Sequence, residues 1–160
     1  MQIINMIWLI NKCYDTVYES DDPVQRRYSL LTLNFMARVG IELSENVVDT
    51  AEKLLKNDPN WNVRRHAAWV ISNLGTKHSI KILSDALADK NLNVKFEVLE
   101  SLAAFASKHD DAIEALLKAL NDKHTSVKLR ALYHLTHLKR ARLDPEIANF
   151  VPEWYSPPLL

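Results

Sequence analysis

Few side chains in this chain are placed to do chemistry, and they are scattered. His134 and His137 stand three residues apart, a spacing that turns two imidazoles to one side of a helix, as a metal pair requires. Such a pair needs further ligands, and no carboxylate is near in the sequence. From Lys123 to Leu143 the charged residues are Lys123, Lys128, Arg130, Lys139, Arg140 and Arg142, all basic. Neither a His-Glu dipeptide nor a His-Glu-x-x-His run occurs, so the helical zinc pattern of two histidines around a glutamate base is missing. Cys13 is the lone cysteine. It has no disulfide partner and no zinc spacing, and it fits a reducing, cytoplasmic setting. Gly40 and Gly75 are the only glycines, too few for a loop that cradles phosphates. No catalytic residue, metal ligand or cofactor is assigned on this reading. The chemistry to expect is recognition.

Any recognising surface here must be carried by helices. The 160 residues suit one domain with a sizeable core. Scarce glycine and few alternating β-branched runs argue against sheet folds, leaving an all-α chain. Twenty basic residues balance twenty acidic ones, whereas a dedicated nucleic-acid binder usually carries a basic excess. The apolar start, Ile3 to Ile10, has no basic residue before it, no small-residue cleavage site after it, and too little length to span a bilayer. Ile3, Ile7, Ile10, Tyr14 and Val17 recur at helical spacing, and the segment reads as a first packed helix without a membrane role.

Three segments repeat one pattern, in which Asp is followed five residues later by Val and then by a basic residue. They are Asp58, Val63 and Arg64; Asp89, Val94 and Lys95; and Asp122, Val127 and Lys128. Equivalent aspartates lie 31 and 33 residues apart, at 58, 89 and 122. Before each motif runs an amphipathic stretch, Val47 to Lys56, Ile80 to Ala88 and Ala112 to Leu120. Each unit is therefore a helical hairpin with the Asp in its short turn. One hairpin cannot bury its own apolar face, whereas stacked hairpins share a continuous core. A degenerate fourth copy precedes them, with Asp21, Asp22, Pro23, Arg26 and Arg27 before an apolar helix ending near Arg38; its register stays open.

Local signals set the expected boundaries. Ser44 can cap a helix starting at Glu45, Pro59 marks a turn, and Gly75 suits a left-handed helix end. Asp144-Pro145-Glu146 can open a last short helix. Hairpins are expected over 2–39, 44–75, 79–107 and 110–140, with a capping helix over 144–150. Together they make one domain, 1–150, followed by a proline-rich tail, 151–160.

The stretch from Asp58 to Gly75 resembles the HEAT repeat, in the short form named after phycobilisome lyases. Asp58, Val63, Arg64, Ala67, Ala68, Leu74 and Gly75 carry the likeness, and weaker copies extend it over 44–138. The Thr-Pro-Leu-His of ankyrin repeats and the Trp-Leu-Gly-Tyr pattern of tetratricopeptide repeats are missing. The resemblance implies an α-α superhelix, a right-handed solenoid of HEAT-like hairpins. It also implies a ladder of turn Asp and following base between neighbouring repeats. Carried over, its pairs are Asp58 with Arg64, Asp89 with Lys95 and Asp122 with Lys128, with lysine lacking the bidentate fork of arginine.

In such stacks the second helix of each hairpin lines the concave side. Aligning the three good copies gives four lining columns: Arg65, Phe96 and Leu129; His66, Glu97 and Arg130; Trp69, Glu100 and Tyr133; Asn73, Ala104 and His137. Arg65, His66, Trp69, Phe96, Glu97, Glu100, Arg130 and Tyr133 are the candidate partner-binding residues, because Trp, Tyr and Arg dominate interface hot spots. The competing reading makes Trp69 and Tyr133 partly buried bridges between repeats, and the basic stretch from Lys123 a solvated end. The expected function is a scaffold binding a protein or peptide. Two alternatives come from related repeat proteins. One is an alkylpurine DNA glycosylase, to which Trp61, Arg64, Arg65 and Trp69 with Glu97 or Glu100 would contribute a base-flipping cleft. The other is a chromophore lyase, for which no residue identifies a tetrapyrrole site. Diiron hydroxylases of this architecture use paired His-Glu motifs, which this chain lacks.

Overall fold

The structure, a computed structural model, describes residues 2–41, 43, 45–74 and 77–138. The described chain is helical: α1 Gln2–Glu19, α2 Pro23–Arg38, α3 Glu45–Asn57, α4 Trp61–Leu74, α5 Lys77–Ala86, α6 Leu92–Ala106, α7 Asp110–Ala119 and α8 Thr125–His137. The expected caps at Ser44 and Gly75, the 144–150 helix and the 151–160 tail lie outside the described residues, as do the side chains of Ile3 and Ile7. Among the described residues no helix is long and apolar enough to cross a membrane.

Two kinds of helix alternate. The outer ones are one-sided: α3 buries Val47, Ala51 and Leu55, and α7 buries Ala112, Ala115, Leu116 and Ala119, at the spacing that puts one stripe on a helix. The inner ones are buried more widely. On α4 the buried apolar set is Val63, Ala67, Ala68, Val70 and Ile71, and on α6 it is Val94, Val98, Leu99, Leu102, Phe105 and Ala106. The packing explains the difference. Each outer helix lies on its own inner helix, α1 on α2, α3 on α4, α5 on α6 and α7 on α8, while α2, α4, α6 and α8 also pack on one another in order. The result is a solenoid with one continuous core from Cys13 to Leu135.

The turns repeat atom for atom. Asp58, Asp89 and Asp122 each accept, on Oδ1, the backbone N–H two residues on, at 2.8, 2.7 and 2.8 Å. Asn60 and Asn91 then accept from the N–H groups of Asn62 and Asn93 at 2.9 Å, which satisfies donors at the helix start. The first unit repeats this with other side chains. Ser20 Oγ accepts from the Asp22 N–H at 3.2 Å, and Asp22 Oδ1 from the Val24 N–H at 2.8 Å. Ser20 thus stands where later units have Asp, which fixes the register left open by the sequence. α2 stops at Gly40, φ +83°, where the N–H groups of Gly40 and Ile41 bond the carbonyls of Ala37 and Met36 at 3.1 and 3.0 Å. This Schellman arrangement needs a residue tolerant of the left-handed region, hence glycine.

Candidate functional site

The basic residue of each motif sits in the first turn of an inner helix and reaches forward. Arg26 grips Asp58 with two bonds, Nε to Oδ2 at 2.8 Å and Nη2 to Oδ1 at 3.1 Å. Arg64 holds Asp89 likewise at 2.7 and 2.9 Å, and Lys95 donates to Asp122. The expected pairs, Asp58 with Arg64, Asp89 with Lys95 and Asp122 with Lys128, are therefore displaced by one unit. Within its own unit the arginine bonds the turn's backbone: Arg64 Nη1 donates to the Asp58 carbonyl at 2.8 Å, and Arg26 Nη1 to that of Ser20 at 2.7 Å. With the near carbonyl taking one nitrogen, the remaining fork faces the next turn. Asp89 raises the Arg64 pKa. Burial pushes the Asp122 carboxyl up, but the Lys95 ammonium and the His124 N–H outweigh it and hold it below the ordinary value. The ladder ends at an exposed Lys128, which has no carboxylate partner among the described residues.

Arg26 aligns with Arg64, Lys95 and Lys128, so the lining columns extend onto α2 as Arg27, Tyr28, Leu31 and Phe35. The structure joins several of the proposed residues across helices. Arg65 Nε lies 3.0 Å from Glu97 Oε2, and Arg130 Nε lies 3.3 Å from Glu100 Oε1. The Arg130 guanidinium also sits 4.9 Å from the centre of the Phe96 ring, a cation–π distance, and Phe96 is partly buried against the core. His66 Nδ1 is 2.6 Å from the Asn62 carbonyl, so it donates there, and its ring lies 6.3 Å from Trp69. Burial lowers the His66 pKa. Tyr133 is 52% exposed, and its ring lies 4.2 Å from that of His137 at a tilt of 41°. Trp69 and Phe96 are half-buried. These aromatics are not sealed in the core, and Phe96 is the one that serves the interior most.

Other candidates are redirected by what they touch. Arg64, 3% exposed, is spent in the ladder and is not on the lining surface with Trp61, Arg65 and Trp69. Glu97 and Glu100 are held by arginines, so neither is a free carboxylate for a cationic base. His134 is buried with Nε2 unbonded, 3.4 Å from Glu100 Oε1, and burial lowers its pKa. His137 instead bonds the Tyr133 carbonyl through Nδ1 at 2.7 Å. Among the described residues no three His, Cys, Asp or Glu side chains gather as metal ligands would. A concavity of about 530 Å³ lies elsewhere, between the α1–α2 turn and α3, bordered by Ser20, Asp21, Lys53 and Asn57. Its deepest charges, Arg26 and Asp58, are already paired with each other.

Tyr28, Leu31 and Phe35 were not among the lining residues assigned from sequence. Tyr28 and Phe35 are 58% and 65% exposed. The signal that places them is Arg26 in the ladder position, hidden because Ser20 and Gln25 replace the Asp and Val that mark the other units.

Comparison with known proteins supports the frame and leaves the surface open. A family profile described as HEAT repeats matches residues 48–139. The crystal structure of an engineered protein superposes with a TM-score of 0.52 at 22% identity, covering 88% of this chain and 67% of that one. A second engineered protein gives 0.49 at 21% identity, covering 89% of this chain and 41% of its own. Among curated proteins no sequence matches.

Proposed function

The chain belongs to the HEAT-repeat family, and from that premise we propose that it is a scaffold or adaptor that grips a peptide or helix of a protein partner on its inner helices. The observation that carries this reading is Tyr133. It is a large aromatic standing half in water on α8, in the same repeat position as Trp69. Around them Arg65, Glu97, Glu100 and Arg130 form two ion pairs, a polar rim beside aromatic anchors, as protein interfaces are built. A base-flipping cleft would need free cations along the same wall and an available carboxylate, and here the glutamates are already held.

The test compares the native chain with Trp69→Ala/Tyr133→Ala. Partners captured from the source cell by the native chain are identified, then titrated against both purified proteins. The double variant is expected to keep its helical circular dichroism and lose at least about tenfold in affinity, as for central hot spots. Unchanged affinity with unchanged helicity would remove this surface from consideration.

A further inference from the structure

Zero net charge conceals a separation between the two helix layers. The outer α1, α3, α5 and α7 carry both signs, with Lys53 and Lys56 beside Asp49 and Glu52 on α3 and Lys118 beside Asp110, Asp111 and Glu114 on α7, and in sequence their acids outnumber their lysines nine to six. The inner α2, α4 and α8 carry arginines or lysine and no carboxylate. The inner layer's two acids, Glu97 and Glu100 on α6, are paired with Arg65 and Arg130. Once those pairs and the ladder are satisfied, Arg27 and Arg38 of α2 and, at the far end of the stack, Lys128 of α8 remain, with no carboxylate partner among the described residues. Arg27 lies against the Tyr28 ring at 4.9 Å.

These two arginines border a strip of apolar side chains. At about 100° per residue, Val24, Leu31, Phe35 and Tyr28 fall on one arc of α2, with Arg27 and Arg38 along its edge. Val24, Tyr28 and Phe35 are each half or more exposed. In later units, the residues at the positions of Tyr28 and Phe35 meet the preceding inner helix. Glu97 meets Arg65, Arg130 covers Phe96, and Asn73 donates to Asn34. No described inner helix precedes α2, so its aromatics face solvent. Contiguous exposed apolar surface of this kind marks an interaction site.

We propose that α2 is the docking face for an acidic amphipathic helix of the partner, lying with its apolar side on Tyr28, Leu31 and Phe35 and its carboxylates on Arg27 and Arg38. This rests on the protein-binding reading above and specifies the partner's chemistry. Anchors spaced from Val24 to Phe35 cover about three helical turns, the footprint of a helix laid on a groove. A guanidinium pairs with a carboxylate through two parallel bonds, which sets the sign of the ligand's charge. A phosphate backbone fits less well, because it has no apolar side to cover the exposed Tyr28 and Phe35.

The test uses two labelled helical probes of about five turns, identical in their Leu and Phe stripe, one with Glu and the other with Lys at every polar position. Fluorescence anisotropy should show the Glu probe binding at least about tenfold tighter. Arg27→Glu/Arg38→Glu should reverse that preference. Tyr28→Ser/Phe35→Ser should weaken the Glu probe at least about tenfold with helicity kept. Equal binding of the two probes, binding of neither, or binding insensitive to the α2 changes overturns the proposal. If Glu-probe binding is instead lost only in Trp69→Ala/Tyr133→Ala, the inner-surface reading stands and the α2 site falls. Two further outcomes also overturn it: duplex DNA that outcompetes the Glu probe and depends on Arg27 and Arg38, and self-association in sedimentation that Phe35→Ser dissolves.

Discussion

At the residue scale, the fold is fixed by charges that look functional in sequence and are structural in place. Arg64 and Asp89 are both nearly buried, at 4% and 8% side-chain exposure, and an unpaired charge left behind in such a site is costly. Asp89→Ala is expected to lose about 3–5 kcal/mol in urea unfolding, whereas Lys128→Ala, at the open end of the ladder, should stay within about 0.5 kcal/mol. Similar losses at the two positions would deny the ladder its role. The sequence made the charges visible, but not their partners. Asp58 and Arg64 are neighbours in the chain, and only the turn geometry shows that the Asp58 carbonyl takes one guanidinium nitrogen while Asp89 takes the others. A second residue-scale effect concerns pH. Burial lowers the pKa of His134 from its ordinary 6.5, against the pull of Glu100, and burial lowers that of His66 as well. The unfolded chain then binds protons more readily than the folded one, so stability is intact above that ordinary value and falls as pH drops through it. The urea midpoint is expected to decline between about pH 7.5 and pH 5.5 and to decline less in His66→Gln/His134→Gln. An identical slope in the variant would mean that neither imidazole is the source.

At the element scale, the hairpins are legible because their punctuation is repeated, and they blur where it is not. Asp22, Asn60 and Asn91 each turn a side-chain oxygen onto the N–H two residues later. In the last unit His124 occupies that place and makes no side-chain cap bond. His124→Asn should restore the bond and add about 0.5–1 kcal/mol to stability, read from the denaturation midpoint; a loss would show that the imidazole does something there that the cap geometry does not explain. The same repetition hid α2. Its unit replaces Asp with Ser20 and Val with Gln25, so the pattern Asp-x-x-x-x-Val-basic is broken there, although Arg26 does in space what Arg64 does. That is why Tyr28, Leu31 and Phe35 escaped a reading that located Trp69, Phe96 and Tyr133. Phe96 is partly buried against the core with the Arg130 guanidinium 4.9 Å from its ring, contacts that repeat position alone does not specify.

At the scale of the whole molecule, a stack in which each inner helix touches only its neighbours should distribute stability along one dimension. α4 and α6 have inner helices on both sides, and α2 and α8 have one each among the described residues. Amides at Ile71 and Leu102 are therefore expected to exchange more slowly than those at Leu33 and Leu135, although all four side chains are buried. A cavity should propagate in the same pattern. Leu99→Ala, expected to cost about 2–5 kcal/mol, ought to speed exchange in both α4 and α8, while Leu30→Ala ought to speed it in α4 and leave α8 near its native rate. Equal acceleration in every helix after either change would mean that the chain opens as one cooperative unit. The graded outcome has a consequence for binding: a partner seated across α2 and α4 would clamp an end of the stack, where the inner helix has one inner neighbour among the described residues, and the largest gain in protection on binding should appear in α2.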